Sequence, residues 1–267
     1  MSAVSISADA LYRQLGSTQA PTVVDVRREQ GYVALPRLLP GARRGSPEAI
    51  AQWVQTLPRE RPVTVYCVHG HQVSQSAAAA LAALGFNATY LDGGIEHWIE
   101  HGGATLRVRP DLGVPGGSRW VTRARPKIDR LACPWLVRRF IDPTAQFYYV
   151  PAERVRAEAE TLGAQPYDIA DVTFSHRGAR CSFDAFLDEF DLHEAALDQL
   201  ADIVRAADTG DLDAAPQAAG LLAISLGLSA SIADDMRLLE QAMPLYDALY
   251  AWCKSARAET HHWQPKA

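Results

Sequence analysis

The stretch "PVTVYCVHGHQVSQSAAAALAALG" (Pro62–Gly85) decides the fold of the first part of the chain. "PVTVYC" is a strand-length run rich in β-branched and aromatic residues, bounded by a proline. A short Gly/His loop follows, then an alanine-rich helix over Val73–Leu84 that stops at Gly85. A strand that feeds a helix through a tight loop is the building unit of a parallel sheet. Active sites of such sheets lie at the carboxyl edge, where Cys67 stands.

The flanking sequence repeats this alternation. "SADALYRQLG" (Ser7–Gly16) reads as a helix with a Ser cap and a Gly stop, and "TVVDV" (Thr22–Val26) as a short buried strand. "SPEAIAQWVQTL" (Ser46–Leu57) predicts one helix, with a Ser cap and Pro at its first position. "ATYLDGG" (Ala88–Gly94) is a strand entering a turn, and "GIEHWIEHGG" (Gly94–Gly103) a short helix. The expected fold is α/β, a parallel sheet flanked by helices on both faces.

The texture changes at "RVRPDLGVPGGSRW" (Arg107–Trp120), where Pro, Gly and scattered charge suit a linker. The expected division is a first domain over 1–106, a linker over 107–118 and a second, α-rich α+β domain over 119–267. In that second domain "SRWVTR" (Ser118–Arg123) resembles an edge strand, and "KIDRLACPWLVRRFID" (Lys127–Asp142) a helix with Pro134 early in it. "AQFYYV" (Ala145–Val150) is a strand, and "AERVRAEAETLG" (Ala152–Gly163) a helix. "VTFSHRGARCSFDAF" (Val172–Phe186) reads as turn-rich, and Glu194–Ala207, Gln217–Leu228 and Ile232–Ser255 as helices.

Over 267 residues the net charge is −5, so no basic field favours nucleic acid or an anionic membrane. No apolar run approaches the ~20 residues that span a bilayer, and the N-terminus lacks the pattern of a signal peptide. Four widely spaced cysteines without a CxxC fit reduced thiols, which gives cytoplasmic as the expected location.

The loop after Cys67 carries the chemistry. Its backbone N–H groups can turn inward, and the helix N-terminus adds positive potential; both favour thiolate over thiol. Gly70 supplies backbone freedom, and His69 and His71 can add to the same bias. The expected result is a nucleophilic sulfur in a cradle for an anion or a persulfide, formed by Val68, His69, Gly70, His71, Gln72 and Val73.

Residues 5–105 resemble a single rhodanese (sulfurtransferase) domain, through "VVDVR" (Val23–Arg27), "PGA" (Pro40–Ala42), "VYCVHGHQVS" (Val65–Ser74) and "LDGGIEHWIEHG" (Leu91–Gly102). The resemblance implies that Cys67 takes sulfane sulfur from a donor as a persulfide and passes it to a nucleophile such as cyanide or a thiol, with no cofactor. It gives Asp25 and Arg27 a supporting role in organising the loops, and Trp98 that of a core anchor. Counted from Cys67, the loop has the six-residue length of sulfurtransferases. Its sixth position, often Arg in that family, is Gln72 here, and a neutral amide does not pair with a sulfonate as a guanidinium does. The expected donor is a low-molecular-weight or protein persulfide rather than thiosulfate.

In the second half Asp129 and Cys133 are four apart, so one helix face holds both. His176 and Cys181 lie in the turn-rich stretch and Asp208 near a helix end. Cys, His and carboxylate are ligands for zinc or a related transition metal, so Asp129, Cys133, His176, Cys181 and Asp208 form the expected metal or oxyanion site. Arg125, Lys127, Arg130, Arg138 and Arg139 are either a solvated face or an anion collector.

Residues 119–255 resemble the C-terminal domain of the ChrB chromate-resistance family, through "RARPKIDRLACPWLVRRFIDPTAQFYYV", "FSHRGARCSFDAF", "LADIVRAADTGD", "AAGLLAISLGL" and "YDALYAWC". This implies a bacterial protein tied to chromate handling or response. Relatives often carry a different N-terminal part linked to transcription; a rhodanese-like part replaces it here, so DNA binding is not carried over. The expected function is a sulfurtransferase associated with chromate resistance. The alternative is a non-enzymatic chromate- or redox-responsive protein that binds a metal or oxyanion.

Overall fold

The computed structural model describes residues 3–112 and 117–259. In chain order its first part contains β1 (Val4–Ile6), α1 (Ala8–Gln14), β2 (Thr22–Asp25), α2 (Glu29–Ala34), β3 (Arg37–Leu38), β4 (Arg43–Arg44), α3 (Ile50–Trp53), β5 (Val63–Tyr66), α4 (Gln72–Ala83), β6 (Ala88–Leu91), α5 (Gly94–Glu100) and β7 (Leu106–Arg107). Five strands pair in the order β1-β6-β5-β2-β4, all parallel. Period-two alternation splits each strand between two cores. Val23 and Tyr66 pack with Leu11, Ile95 and Trp98 on one face. Val24, Val63 and Val65 pack with Ala77, Ala78 and Leu81 on the other. The apolar runs read as strands are thus covered on both sides.

The second part contains β8 (Arg119–Arg123), α6 (Asp129–Leu136), β9 (Gln146–Val150), α7 (Val155–Leu162), β10 (Gln165–Pro166), α8 (Ser182–Phe190), α9 (Ala195–Thr209), α10 (Ala218–Ser231) and α11 (Asp235–Ala251). Its small sheet, β10-β8-β9, is also parallel. One core joins this sheet to the helices around Trp120, Trp135, Phe186, Leu200 and Tyr246. Among the described residues no helix is long and apolar enough to cross a membrane.

Several expectations change. "SRWVTR" forms a central strand, not an edge: β8 pairs on both sides, and Trp120, Val121 and Thr122 are fully buried. Its second neighbour, β10, is two residues long and includes a proline, too short for a periodic signal. The single helix over 46–57 is instead α3 between two 3-10 turns, Pro47–Ala49 and Val54–Thr56. Ala49 leaves helical geometry at φ −119°, and the Trp53 indole N–H donates back to the Ser46 carbonyl at 2.8 Å. The turn-rich stretch ends sooner than expected, because α8 begins at Ser182. There the Asp184 carboxylate accepts from the Cys181 amide at 3.0 Å and caps the helix.

Of the segment 107–118, residues 113–116 lie outside the described residues. Around them the chain is packed rather than free. Arg107 pairs with Arg37 across β7 and β3, and Arg109 forms ion pairs with Asp111 and Glu189. Arg37 crosses between the two parts, donating to Asp191 Oδ2 at 2.7 Å and to the Thr105 hydroxyl at 2.6 Å.

Asp25 and Arg27 are buried, and their side chains pair at 2.7 Å. Two further guanidinium hydrogens go to the carbonyls of Leu35 and Arg37, at 2.9 and 2.7 Å. The pair therefore anchors α2 and β3 beside the end of β5. Removing one partner strands a buried charge. Arg27→Ala is expected to destabilise the protein by about 3–5 kcal/mol, read from chemical denaturation of the full chain.

Candidate active site and candidate metal centre

Cys67 follows the last residue of β5 and its side chain faces a cleft of about 490 Å³. Arg27, Gly31, Val68, His69, His71 and Gln72 are among the residues that line it. The loop is held from behind by α5. The amides of Ile95 and Glu96 donate to the carbonyls of Cys67 and Val68, at 3.0 and 3.2 Å. This commits these two carbonyls to α5. Among the described residues, the amides of Val68 to Ser74 donate to no other backbone carbonyl. They include the first amides of α4, which a helix leaves unused. An anion beside the sulfur would meet these donors.

The approach of α5 to the loop is close enough to require glycine. Gly70 (φ +69°) lies where a Cβ would come within 2.6 Å of the Gly93 nitrogen. Gly94 (φ +64°) lies where one would come within 2.4 Å of the Val68 oxygen. Ser74, fully buried, sets its hydroxyl 3.1 Å from Cys67 Sγ and 3.2 Å from the His71 carbonyl. It is placed to donate to a thiolate. His69 Nδ1 sits 2.9 Å from Glu96, so a charge on its ring would be answered there. Trp98 is buried and donates to the Ala104 carbonyl at 2.7 Å.

In the second part three carboxylates surround one imidazole nitrogen. His176 Nε2 lies 3.1 Å from Asp208, 3.2 Å from Asp129 and 3.4 Å from Asp168. Ligand atoms of Asp129, His176 and Asp208 all lie within 4.8 Å of one another. Burial and the neighbouring Asp129 charge push the Asp208 carboxyl up to about 7. Burial, then Asp129, raises Asp168 as well. The hydrogen bond to Asp129 is the largest influence on His176 and lifts it to about 9.

The family models fit this division. The model described as "ChrB, C-terminal domain" matches residues 120–253, half of the chain, and that of the rhodanese-like domain matches residues 7–101. The chain belongs to the ChrB C-terminal-domain family. Its first part is a rhodanese-like, sulfurtransferase-like domain. Protein ChrB of Cupriavidus metallidurans is 34% identical over 183 residues, covering 68% of this chain and 55% of that protein. The chain thus spans about half the length of this relative. Thiosulfate sulfurtransferase GlpE of Pseudomonas fluorescens is 41% identical over 81 residues, 30% of this chain and 72% of that protein. Among solved structures, a rhodanese-related protein from Thermoplasma volcanium is 28% identical with a TM-score of 0.35, covering 39% of this chain and 99% of that one.

Of the expected metal ligands, the ChrB-type part brings together Asp129, His176 and Asp208. Cys133 and Cys181 do not join that group. Both are fully buried, and burial followed by the Asp129 charge pushes both thiols well up, so they stay protonated. Asp168 was not legible in the sequence. It stands in no periodic element, and its left-handed φ of +51°, a conformation Asp tolerates, has no signature of its own. Four arginines of the Arg-rich segment are engaged within the protein rather than free. Arg139 pairs with Asp247, Arg138 with Glu240, Arg130 with Asp168, and Arg125 donates to carbonyls of Ile232 and Ala233.

Two outcomes are expected. In native protein at pH 8, iodoacetamide modifies Cys67 and leaves Cys133 and Cys181 intact until denaturant is added, as read by peptide mass spectrometry. Gly94→Ala, forcing a side chain against the loop carbonyls at positive φ, costs about 2 kcal/mol or more in an unfolding titration.

Proposed function

We propose that the rhodanese-like part transfers sulfane sulfur through a Cys67 persulfide, and that the ChrB-type part links this chemistry to chromate resistance or response. The observation that carries the reading is a cysteine at the carboxyl end of a parallel strand, lining a cleft and followed by a loop whose amides from Val68 to Ser74 have no backbone acceptor among the described residues. The Cys67 thiolate attacks the outer sulfur of a donor persulfide. The Cys67 S–S bond forms, the donor S–S bond breaks, and the donor leaves as its thiolate. A nucleophilic acceptor, cyanide or a thiolate, then takes the outer sulfur and returns Cys67 as thiolate. No cofactor enters either step. The amides of Val68–Val73 hold the negative charge of the persulfide, and Ser74 donates to Cys67 Sγ in the thiolate state. Asp25 and Arg27 keep the cleft wall in place.

Gln72 sets the donor. It lines the cleft and brings no charge, so a sulfonate gains no bidentate partner there. The GlpE relatives are named for thiosulfate, and this residue is the reason to expect a different preference here. A low-molecular-weight persulfide such as glutathione persulfide is the proposed donor, and the reducing cytoplasm the proposed setting.

Cys67→Ser is expected to abolish sulfur transfer and to remove the one-sulfur mass increase that donor treatment leaves on the wild-type chain. Transfer by Cys67→Ser at the wild-type rate would refute the assignment. Ser74→Ala should lower kcat/KM about ten-fold, the value of one hydrogen bond to a charged group. With wild-type protein, kcat/KM for glutathione persulfide should exceed that for thiosulfate, and Gln72→Arg should narrow the gap by about ten-fold.

A further inference from the structure

The geometry points to a divalent first-row metal ion held by Asp129, His176 and Asp208, a site separate from the Cys67 cleft. The first ground is stoichiometric. Nε2 of His176 carries at most one hydrogen, yet carboxylate oxygens stand 3.1, 3.2 and 3.4 Å from it on three sides. One N–H cannot serve three acceptors. A metal ion resolves the crowding, because bonds of about 2.0–2.2 Å place neighbouring ligand atoms about 2.8–3.6 Å apart across octahedral and tetrahedral geometries.

The second ground is charge. Arg123 and Arg130 both pair with Asp168 Oδ2, and the Ser182 hydroxyl donates to its Oδ1, so Asp168 is already answered. Among the described residues, Asp129, 2% exposed, and Asp208, 15% exposed along its side chain, have His176 as their one ion-pair partner. Two carboxylates and a neutral imidazole balance one divalent ion. Asp168 then acts on the centre from beside it, positioned by the two arginines and Ser182.

The third ground is access. His176 is among the residues that line an open cleft of about 670 Å³, with Asp168, Arg123, Asp171 and Ser175. Three protein ligands leave coordination positions on that side for water or an incoming oxygen ligand. The absence of thiolate from the set moves the expected metal away from a zinc–cysteine centre and toward manganese, iron(II) or zinc bound by oxygen and nitrogen. Binding requires neutral His176 and so releases a proton.

A second group, His97, Glu100 and His101, also lies within ligand distance, but on an exposed helix end where both acidic and imidazole groups meet water. It serves as the internal control. The full chain is stripped with chelator, desalted, and loaded separately with Mn²⁺, Zn²⁺ and, under anaerobic conditions, Fe²⁺. The metal retained after gel filtration is then counted by elemental analysis. The expected result is about one ion per chain, with a metal-dependent rise in Tm. His176→Ala and Asp208→Asn lose the ion or bind it at least ten-fold more weakly, since even outer-shell changes cost about 10–100-fold. The His97→Ala/His101→Ala double variant keeps it. His176 is 40% exposed, so His176→Ala is the variant least exposed to folding failure, and its metal-free circular dichroism should match wild type. Retention of no ion by wild type overturns the assignment, as does equal retention, or an equal Tm rise, in His176→Ala.

Discussion

Two carbonyls that point away from a sulfur are the constraint on which the first half of the molecule rests. The amides of Ile95 and Glu96 take the carbonyl oxygens of Cys67 and Val68, and those two bonds fix the first peptides of the loop between β5 and α4. The Gly70 and His71 carbonyls are taken by Gln75 and Ser74 of α4, while the loop amides keep no backbone acceptor among the described residues. Closeness of the two backbones makes this possible, and it explains why Gly70 and Gly94 meet there. The sheet positions the cysteine, but the turn before α5 decides what the cysteine sees.

The second half solves a different electrostatic problem. It buries Asp129, Asp168 and Asp184 in one neighbourhood. Asp184 is answered by Arg205 and by the amide of Cys181. Asp168 is answered by Arg123 and Arg130. Asp129 is left with the Ser182 amide and with an imidazole it must share. Helix α8 starts at this point and ends at Asp191, which receives Arg37 from the first half. Arg37 in turn lends its carbonyl to Arg27 at the wall of the Cys67 cleft. The two sites are therefore linked through a hydrogen bond from Arg27 to the Arg37 carbonyl, the Arg37–Asp191 ion pair and helix α8.

The Cys67 site was legible because its parts are consecutive: strand end, loop and helix start lie within one β-α turn, and local spacing predicts their juxtaposition. The Asp129 group was half legible. Residue type singled out Asp129, His176 and Asp208, but it equally singled out Cys133 and Cys181, whose burial as thiols only the three-dimensional packing reveals. Asp168 depends on a left-handed backbone in an irregular loop, which no periodicity announces. Strands of two residues, such as β4 and β10, carry no alternation, so β8 looked like an edge until its second neighbour was in view. The start of α8 was masked by the Gly and Arg residues just before it, which read as turn.

Lys254, in the last turn of the second half, donates to the carbonyls of Tyr12, Arg13 and Leu15. These are acceptors that a helix leaves open at its carboxyl end, and a helix commonly closes them with its own following residues. Helix α1 borrows that closure from a residue some 240 positions away in the chain. The carboxyl end of the first helix is thus completed by the second part of the chain, and fraying of α1 becomes a reporter of whether the two parts are docked.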